Sequence, residues 1–327
     1  MTILIDKPKI YVTRRWPEQA EAALDQHFAP TFNMTDEAIS QEALVDVLTA
    51  YDGIATWSSD RIDAGVIAAA SGGRAKIIAN FGVGVDHIDV AAARAAGIAV
   101  TNTPGVLTDA TADLTMTLML MTARRTNDGE RLLRAGQWRG GKPTQMMGRS
   151  LQGKTLGIIG MGRIAQAVAR RAALGFDMDV VFWNRSPVTS ITGFHARQLD
   201  DVDSVCSKAD ILSLHCAATK DTRHILSADR LALMQPDAII INTARGDVID
   251  EKALIAALVD GRIGGAGLDV FQGEPHIDPA LLAAPHTVFL PHMGSTTREA
   301  RTAMGMKAVD NLVAFFAGEP LLDPAPQ

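Results

Sequence analysis

A chain of 327 residues is long for a single hydrophobic core and points to about two domains. Its residues are 47% apolar and 21% charged, which excludes a disordered chain, and its most membrane-like stretch, residues 114–123, is about half the length of a spanning helix. A net charge of −6 without any Lys/Arg run excludes the basic patch that nucleic acid requires.

Taken in chain order, MTILIDKPKIYV leads directly into a strand-like segment. Asp6 and Pro8 interrupt any signal-like apolar region, so a cytoplasmic protein is expected. Short β-branched runs then alternate with Ala-rich stretches, giving strands over 9–13, 53–57, 76–80 and 98–102. Helices are expected over 17–27, 41–50 and 90–96, with Gly97 placed where a helix C-terminus wants positive φ. A long helical pattern follows from Thr108 to Ala135, acidic at its start and carrying Arg131 and Arg134 at its far end, as the helix dipole favours. Gly140, Gly141, Pro143 and Gly148 then mark a loop.

A second array supplies strands over 155–159, 179–183, 211–215, 238–242, 265–270 and 287–290, and a last helix over about 298–316. The pattern predicts an α/β protein of two doubly wound parallel-sheet domains with a cleft between them. The sequence leaves open whether the last helix caps the second domain or returns to the first. Two cysteines, Cys206 and Cys216, match no zinc spacing, so reduced thiols and no metal site are expected.

After the apolar run TLGII comes Gly160-Met161-Gly162-Arg163-Ile164-Ala165 and then a helical stretch, the G-x-G-x-x-A dinucleotide fingerprint in its strand–turn–helix setting. Gly160 permits the tight turn, Gly162 lets the backbone approach a pyrophosphate, and Ala165 keeps helix and strand close. The pyrophosphate would rest on the helix N-terminus. The next strand ends in Asn184-Arg185-Ser186, where an NAD enzyme normally has a carboxylate for the ribose. A guanidinium and a hydroxyl suit a 2′-phosphate, so NADP(H) is expected over NAD(H), with NAD(H) still usable.

Three segments at later strand ends carry residues suited to oxo-acid reduction. Arg245 has the planar fork of donors that holds a carboxylate and polarises a carbonyl. His292 can deliver a proton. Glu274 can orient that imidazole and favour its charged form.

These segments resemble those of the D-isomer-specific 2-hydroxyacid dehydrogenase family, and most of all its glyoxylate/hydroxypyruvate reductase branch. The likeness extends to residues 80–89 (NFGVGVDHID), 101–106 (TNTPGV) and 108–113 (TDATAD), so it spans essentially the whole chain. The resemblance implies a Rossmann cofactor domain over 103–294 and a discontinuous flavodoxin-like substrate domain made of 1–102 and 295–327, with hinges near Asn102 and Gly294. It implies Arg245, Glu274 and His292 as the catalytic trio. Asp269 would contact the nicotinamide amide, and Thr108, Cys216, Thr222, Thr243, Ala244 and Gly294 would line the cofactor channel. The backbone N–H groups of Val83 and Gly84 would receive the substrate carboxylate, with Trp57 on the pocket wall. A homodimer is implied, built on the long helix and the loop around Trp138. Larger 2-oxo acids, phosphite oxidation and a nucleotide-sensing co-repressor role stay open as alternatives.

Overall fold

The computed structural model describes residues 7–326, so the expectation about the leader region lies in part outside the described residues. The chain divides into two compact units, one reaching to Leu107 and resuming at Ser295, the other running from Thr108 to Gly294.

The first unit has a five-stranded parallel sheet of β1 (Lys9–Val12), β2 (Ala29–Phe32), β3 (Gly53–Thr56), β4 (Ile77–Asn80) and β5 (Ala99–Thr101), in the order β2-β1-β3-β4-β5. That is the flavodoxin-like order, whose switch point lies between β1 and β3. The second unit has seven parallel strands: β6 (Thr155–Ile159), β7 (Asp179–Trp183), β8 (Arg197–Gln198), β9 (Ile211–Leu214), β10 (Ile239–Asn242), β11 (Gly265–Leu268) and β12 (Thr287–Phe289). Their order, β12-β11-β10-β9-β6-β7-β8, is the dinucleotide-fold order extended by one strand, with its switch point between β6 and β9. Two parallel α/β sheets are what the alternating pattern called for.

The central strands of the second sheet are buried at almost every position and mostly apolar, because both faces are covered. Successive residues of β10 show this: Ile240 packs with Leu212, Leu214 and Leu268 on one face, while Ile239 and Ile241 pack with Ile158, Leu118 and Met119 on the other. Helix starts are set by a recurrent local device. Ser40, Asp63, Asp89, Asp201, Ser227, Asp250, Asp278 and Thr297 each accept a backbone N–H from the first turn that follows.

Three sequence expectations need correction. Strand β2 is additional, hidden by Pro30. Ala29 donates its N–H to the carbonyl of Pro8, just before β1, and Asn33 donates to that of Val12, so by alternation position 30 faces the open edge, where a missing N–H costs no ladder bond. Strand β8 is also additional and only two residues long, below what periodicity can detect.

The long pattern of 108–135 is two helices, Thr108–Arg124 and Thr126–Arg134, broken at Arg125 with φ 52°. The carbonyl of Ala123 accepts the N–H of Arg149 instead of continuing the helix ladder, and the apolar face ends at the same point. The first of these helices is largely buried, whereas the second has no buried residue.

The last helix, Arg298–Phe316, returns to the first unit. A Cβ on Gly305 would lie 2.4 Å from that of Ala20, so this helix touches Glu18–His27 almost backbone to backbone. Phe316 adds a tilted ring contact with Phe28. Among the described residues, no helix is long and apolar enough to cross a membrane.

Candidate active site

In the second unit, the glycine fingerprint, Asn184, Arg245, Asp269, Glu274 and His292 all follow the C-terminal end of a strand, where open α/β sheets bind ligands. β6 turns at Gly160, whose φ of +90° favours glycine, and a Cβ there would lie 2.8 Å from the Cys216 nitrogen. Gly162 is different. A Cβ on it would meet nothing within 4 Å, so packing does not demand this glycine and the space above the turn is open. Gly162 is also the N-cap of Arg163–Phe176 and gives that helix no side-chain cap, which leaves its first N–H groups for an external anion. An open cradle at an uncapped helix start fits a dinucleotide pyrophosphate. Ala165 is fully buried against the sheet, while Arg163 is exposed and Ile164 half-buried.

Asn184 at the end of β7 serves the turn itself. Its Oδ1 accepts the Met161 N–H at 3.1 Å, and its Nδ2 donates to the Ser186 carbonyl at 2.9 Å. That leaves the exposed side chains of Arg185 and Ser186 as the groups able to reach a ribose phosphate. Arg185 makes no ion pair among the described residues. Thr222 is half-buried and engages the Ala217 carbonyl at 2.6 Å, and the Thr243 hydroxyl meets that of Thr115 at 2.9 Å. Thr108 and Ala244 are half-buried. Burial pushes the Cys216 thiol up to about 11, which makes it an inert wall rather than a nucleophile.

The catalytic candidates come from three loops locked to one another. Beyond β10, Asn242 shapes the Arg245 loop by donating Nδ2 to the Arg245 carbonyl at 2.8 Å and accepting the Ala244 N–H at 3.0 Å. Gly246 then meets the loop after β11. A Cβ on Gly246 would fall 2.0 Å from the carbonyl carbon of Phe271, so any other residue would part these two loops. In that second loop, Glu274 Oε1 accepts the Phe271 N–H at 2.8 Å. Its Oε2 meets His292 Nδ1 at 2.8 Å, which fixes the ring and presents Nε2 outward.

Burial pulls the Glu274 carboxyl up. The hydrogen bond and charge of His292, the Phe271 N–H and the Arg245 charge outweigh that and leave it below its ordinary value. Glu274 therefore stays an anion facing an imidazole and a guanidinium.

His292 has φ 54°, a strained setting for a non-glycine residue. It is held there by its own N–H, shared between the carbonyls of Asp269 (2.9 Å) and Leu290 (3.1 Å). Asp269 is buried and clamps the following turn, accepting the N–H groups of Met293 at 2.7 Å and Gly294 at 2.8 Å. Burial pushes its carboxyl up to about 6, against the lowering effect of those two N–H groups and of His292. Asp269 thus has a positioning role that the sequence did not reveal.

In the first unit, the loop after β4 is built for a small anion. The Asn80 side chain donates to the carbonyls of Gly82 (3.0 Å) and Gly84 (2.9 Å), and Asn102 donates to that of Val83 at 2.8 Å. With all three carbonyls tied back, the N–H groups of Val83 and Gly84 make no hydrogen bond among the described residues, which is the layout of an anion-binding nest. Trp57 follows β3, its N–H held by the buried Asp60 at 2.7 Å and its ring tilted against Phe81 at 5.7 Å. The shaping residues Asn80, Asn102 and Asn242 escaped sequence reasoning. Their one signal was an Asn at or just beyond a strand end, directly before a glycine-containing loop.

Residues 116–294 match the family described as D-isomer specific 2-hydroxyacid dehydrogenase, NAD binding domain. The glyoxylate reductase of Thermococcus litoralis is 40% identical over 96% of this chain and 95% of its own length, and that of Pyrococcus furiosus is 41% identical over 96% and 94%. Among solved structures, the NADPH-dependent glyoxylate/hydroxypyruvate reductase of Sinorhizobium meliloti, in complex with NADP and malonate, superposes with a TM-score of 0.86 at 34% identity. The match covers 97% of this chain and 96% of that one.

Proposed function

Since the chain belongs to the D-isomer-specific 2-hydroxyacid dehydrogenase family, we propose that it uses NADPH to reduce a small 2-oxo acid of the glyoxylate or hydroxypyruvate type to the D-2-hydroxy acid. The observation that carries the reading is the Glu274–His292 pair, with the Arg245 loop pressed against it through Gly246. When bound, the reduced nicotinamide supplies the hydride.

Arg245 holds the substrate carboxylate with its fork and polarises the carbonyl. His292 gives the proton from Nε2 to the nascent alkoxide, a role worth about 10²–10⁴-fold in rate. Glu274 holds the ring by Nδ1 and balances the charge that proton transfer alters. The N–H groups of Val83 and Gly84, with Trp57, bind the substrate. Gly160, Met161, Gly162, Arg163 and Ile164 hold the pyrophosphate, and Arg185 with Ser186 binds the 2′-phosphate. Thr108, Asn184, Cys216, Thr222, Thr243, Ala244, Asp269 and Gly294 complete the cofactor site.

Dimer formation through the exposed side chains of Leu120, Leu133, Trp138 and Met147 belongs to the same reading.

The test is absorbance at 340 nm with glyoxylate or hydroxypyruvate, with NADPH and NADH in parallel. Consumption of NADPH well above NADH supports both the reaction and the Arg185 assignment. Equal consumption removes the cofactor preference, and no consumption removes the proposed reaction.

A further inference from the structure

Many arginines in this protein pair with acids. Arg15 is bidentate to Glu21, Arg230 reaches Asp203, and Arg171 bridges Asp109 and Asp113. Arg301, on the C-terminal helix, is different. It is half-buried, yet among the described residues it has no acidic partner. One N–H, on Nη2, donates to Thr296 Oγ1 at 3.0 Å. The guanidinium carbon stands over the Trp57 ring, 4.4 Å from its centroid, a cation–π contact, and among the described residues Thr296 is the one hydrogen-bond acceptor its N–H groups meet. Burial lowers its pKa, as expected for a cation withdrawn from water without a counter-charge.

The surroundings explain why such a costly arrangement is kept. Trp57 is fixed from behind by Asp60 and from the side by Phe81, which itself packs on Trp16 with ring centroids 5.0 Å apart. Phe81 opens the loop whose Val83 and Gly84 N–H groups are unengaged among the described residues. One region of the first unit therefore joins a receptor for one small anionic group to a guanidinium with donors to spare.

We propose that Arg301 is a specificity-determining residue that donates to an oxygen substituent on carbon 3 of the substrate, so that the enzyme selects oxygen-bearing 2-oxo acids over their alkyl counterparts. The inference rests on the reading that the protein reduces a 2-oxo acid held at Val83 and Gly84. A guanidinium bonded to a hydroxyl or carboxylate oxygen is left unpaired when a methyl group takes that place, and this asymmetry discriminates more strongly than shape alone.

The experiment compares kcat/KM for hydroxypyruvate and for pyruvate, which has the same skeleton without the oxygen, in the wild type, Arg301→Met and Arg301→Lys. The hydroxypyruvate-to-pyruvate ratio is expected to fall about 10- to 100-fold in Arg301→Met. Arg301→Lys, which keeps the charge and loses the fork, should fall between the two. A ratio within twofold of wild type in both variants, or equal losses on both substrates, overturns the assignment and leaves Arg301 a support for Trp57. If Arg301→Met does not fold, Arg301→Lys alone decides by the same ratio. Failure of the wild type to reduce any 2-oxo acid is a separate result and removes the underlying reading as well.

Discussion

The contact most open to quantitative test is the one at Gly246. Replacing it with alanine puts a methyl carbon 2.0 Å from the carbonyl carbon of Phe271 and 2.1 Å from its oxygen, where carbon–carbon contacts settle at about 3.5 Å. The obstacle is main chain, so no rotamer change relieves it. The loop carrying Arg245 and the loop carrying Glu274 must part by more than about 1 Å. Overpacking of this kind costs about 1–3 kcal/mol, which lowers the melting temperature of a unit this size by about 2–10 °C. The effect on catalysis is larger, since a misplacement of about 1 Å costs about 10²-fold in rate.

Gly246→Ala is therefore expected to lose about 100-fold in kcat/KM, measured at 340 nm. Its cofactor dissociation constant, followed by fluorescence titration, should stay within a few-fold of wild type because the Gly160–Gly162 turn is untouched. Activity within threefold of wild type would refute the argument that this packing aligns Arg245 with Glu274 and His292.

Other substitutions separate the remaining roles. His292→Ala should lower kcat for reduction by about 10²–10⁴-fold while leaving NADPH binding within a few-fold, and a smaller kinetic loss would assign the proton to another donor. Arg185→Ala should weaken NADPH by about tenfold or more and NADH hardly at all, whereas equal losses would remove the phosphate contact. Asp269 gives a dependence on pH. With its carboxyl raised from 3.8 to about 6, its contribution to stability is fully present below about pH 4 and is lost as pH rises through 6. The shift is equivalent to about 3 kcal/mol. The melting temperature of Asp269→Asn should therefore gain on wild type between pH 4.5 and pH 7.5, and a constant difference would show that the carboxyl titrates normally.

The parts of this protein legible in the sequence are those that depend on local chemistry. Both-face burial makes a parallel strand apolar throughout, so the main strands of the second sheet stand out as runs such as TLGII and IIIN. The glycine fingerprint is a local instruction too, because its turn and its helix start are contiguous. Elements whose reason for existing lies elsewhere in the chain were hidden. β2 contains Pro30 and is a strand only because β1 lies beside it, and the break at Arg125 depends on the distant Arg149 taking a carbonyl.

The same division runs through the site. Arg245, Glu274 and His292 could be singled out by residue type at successive strand ends. That Glu274 and His292 meet at 2.8 Å, that Gly246 presses two loops together, and that Arg301 lies over Trp57 are contacts between residues 18 to 244 positions apart. Sequence determines such side chains and their chemistry. Only the folded chain decides which of them meet, because β-strand order and loop packing, rather than neighbourhood along the chain, set the distances between them.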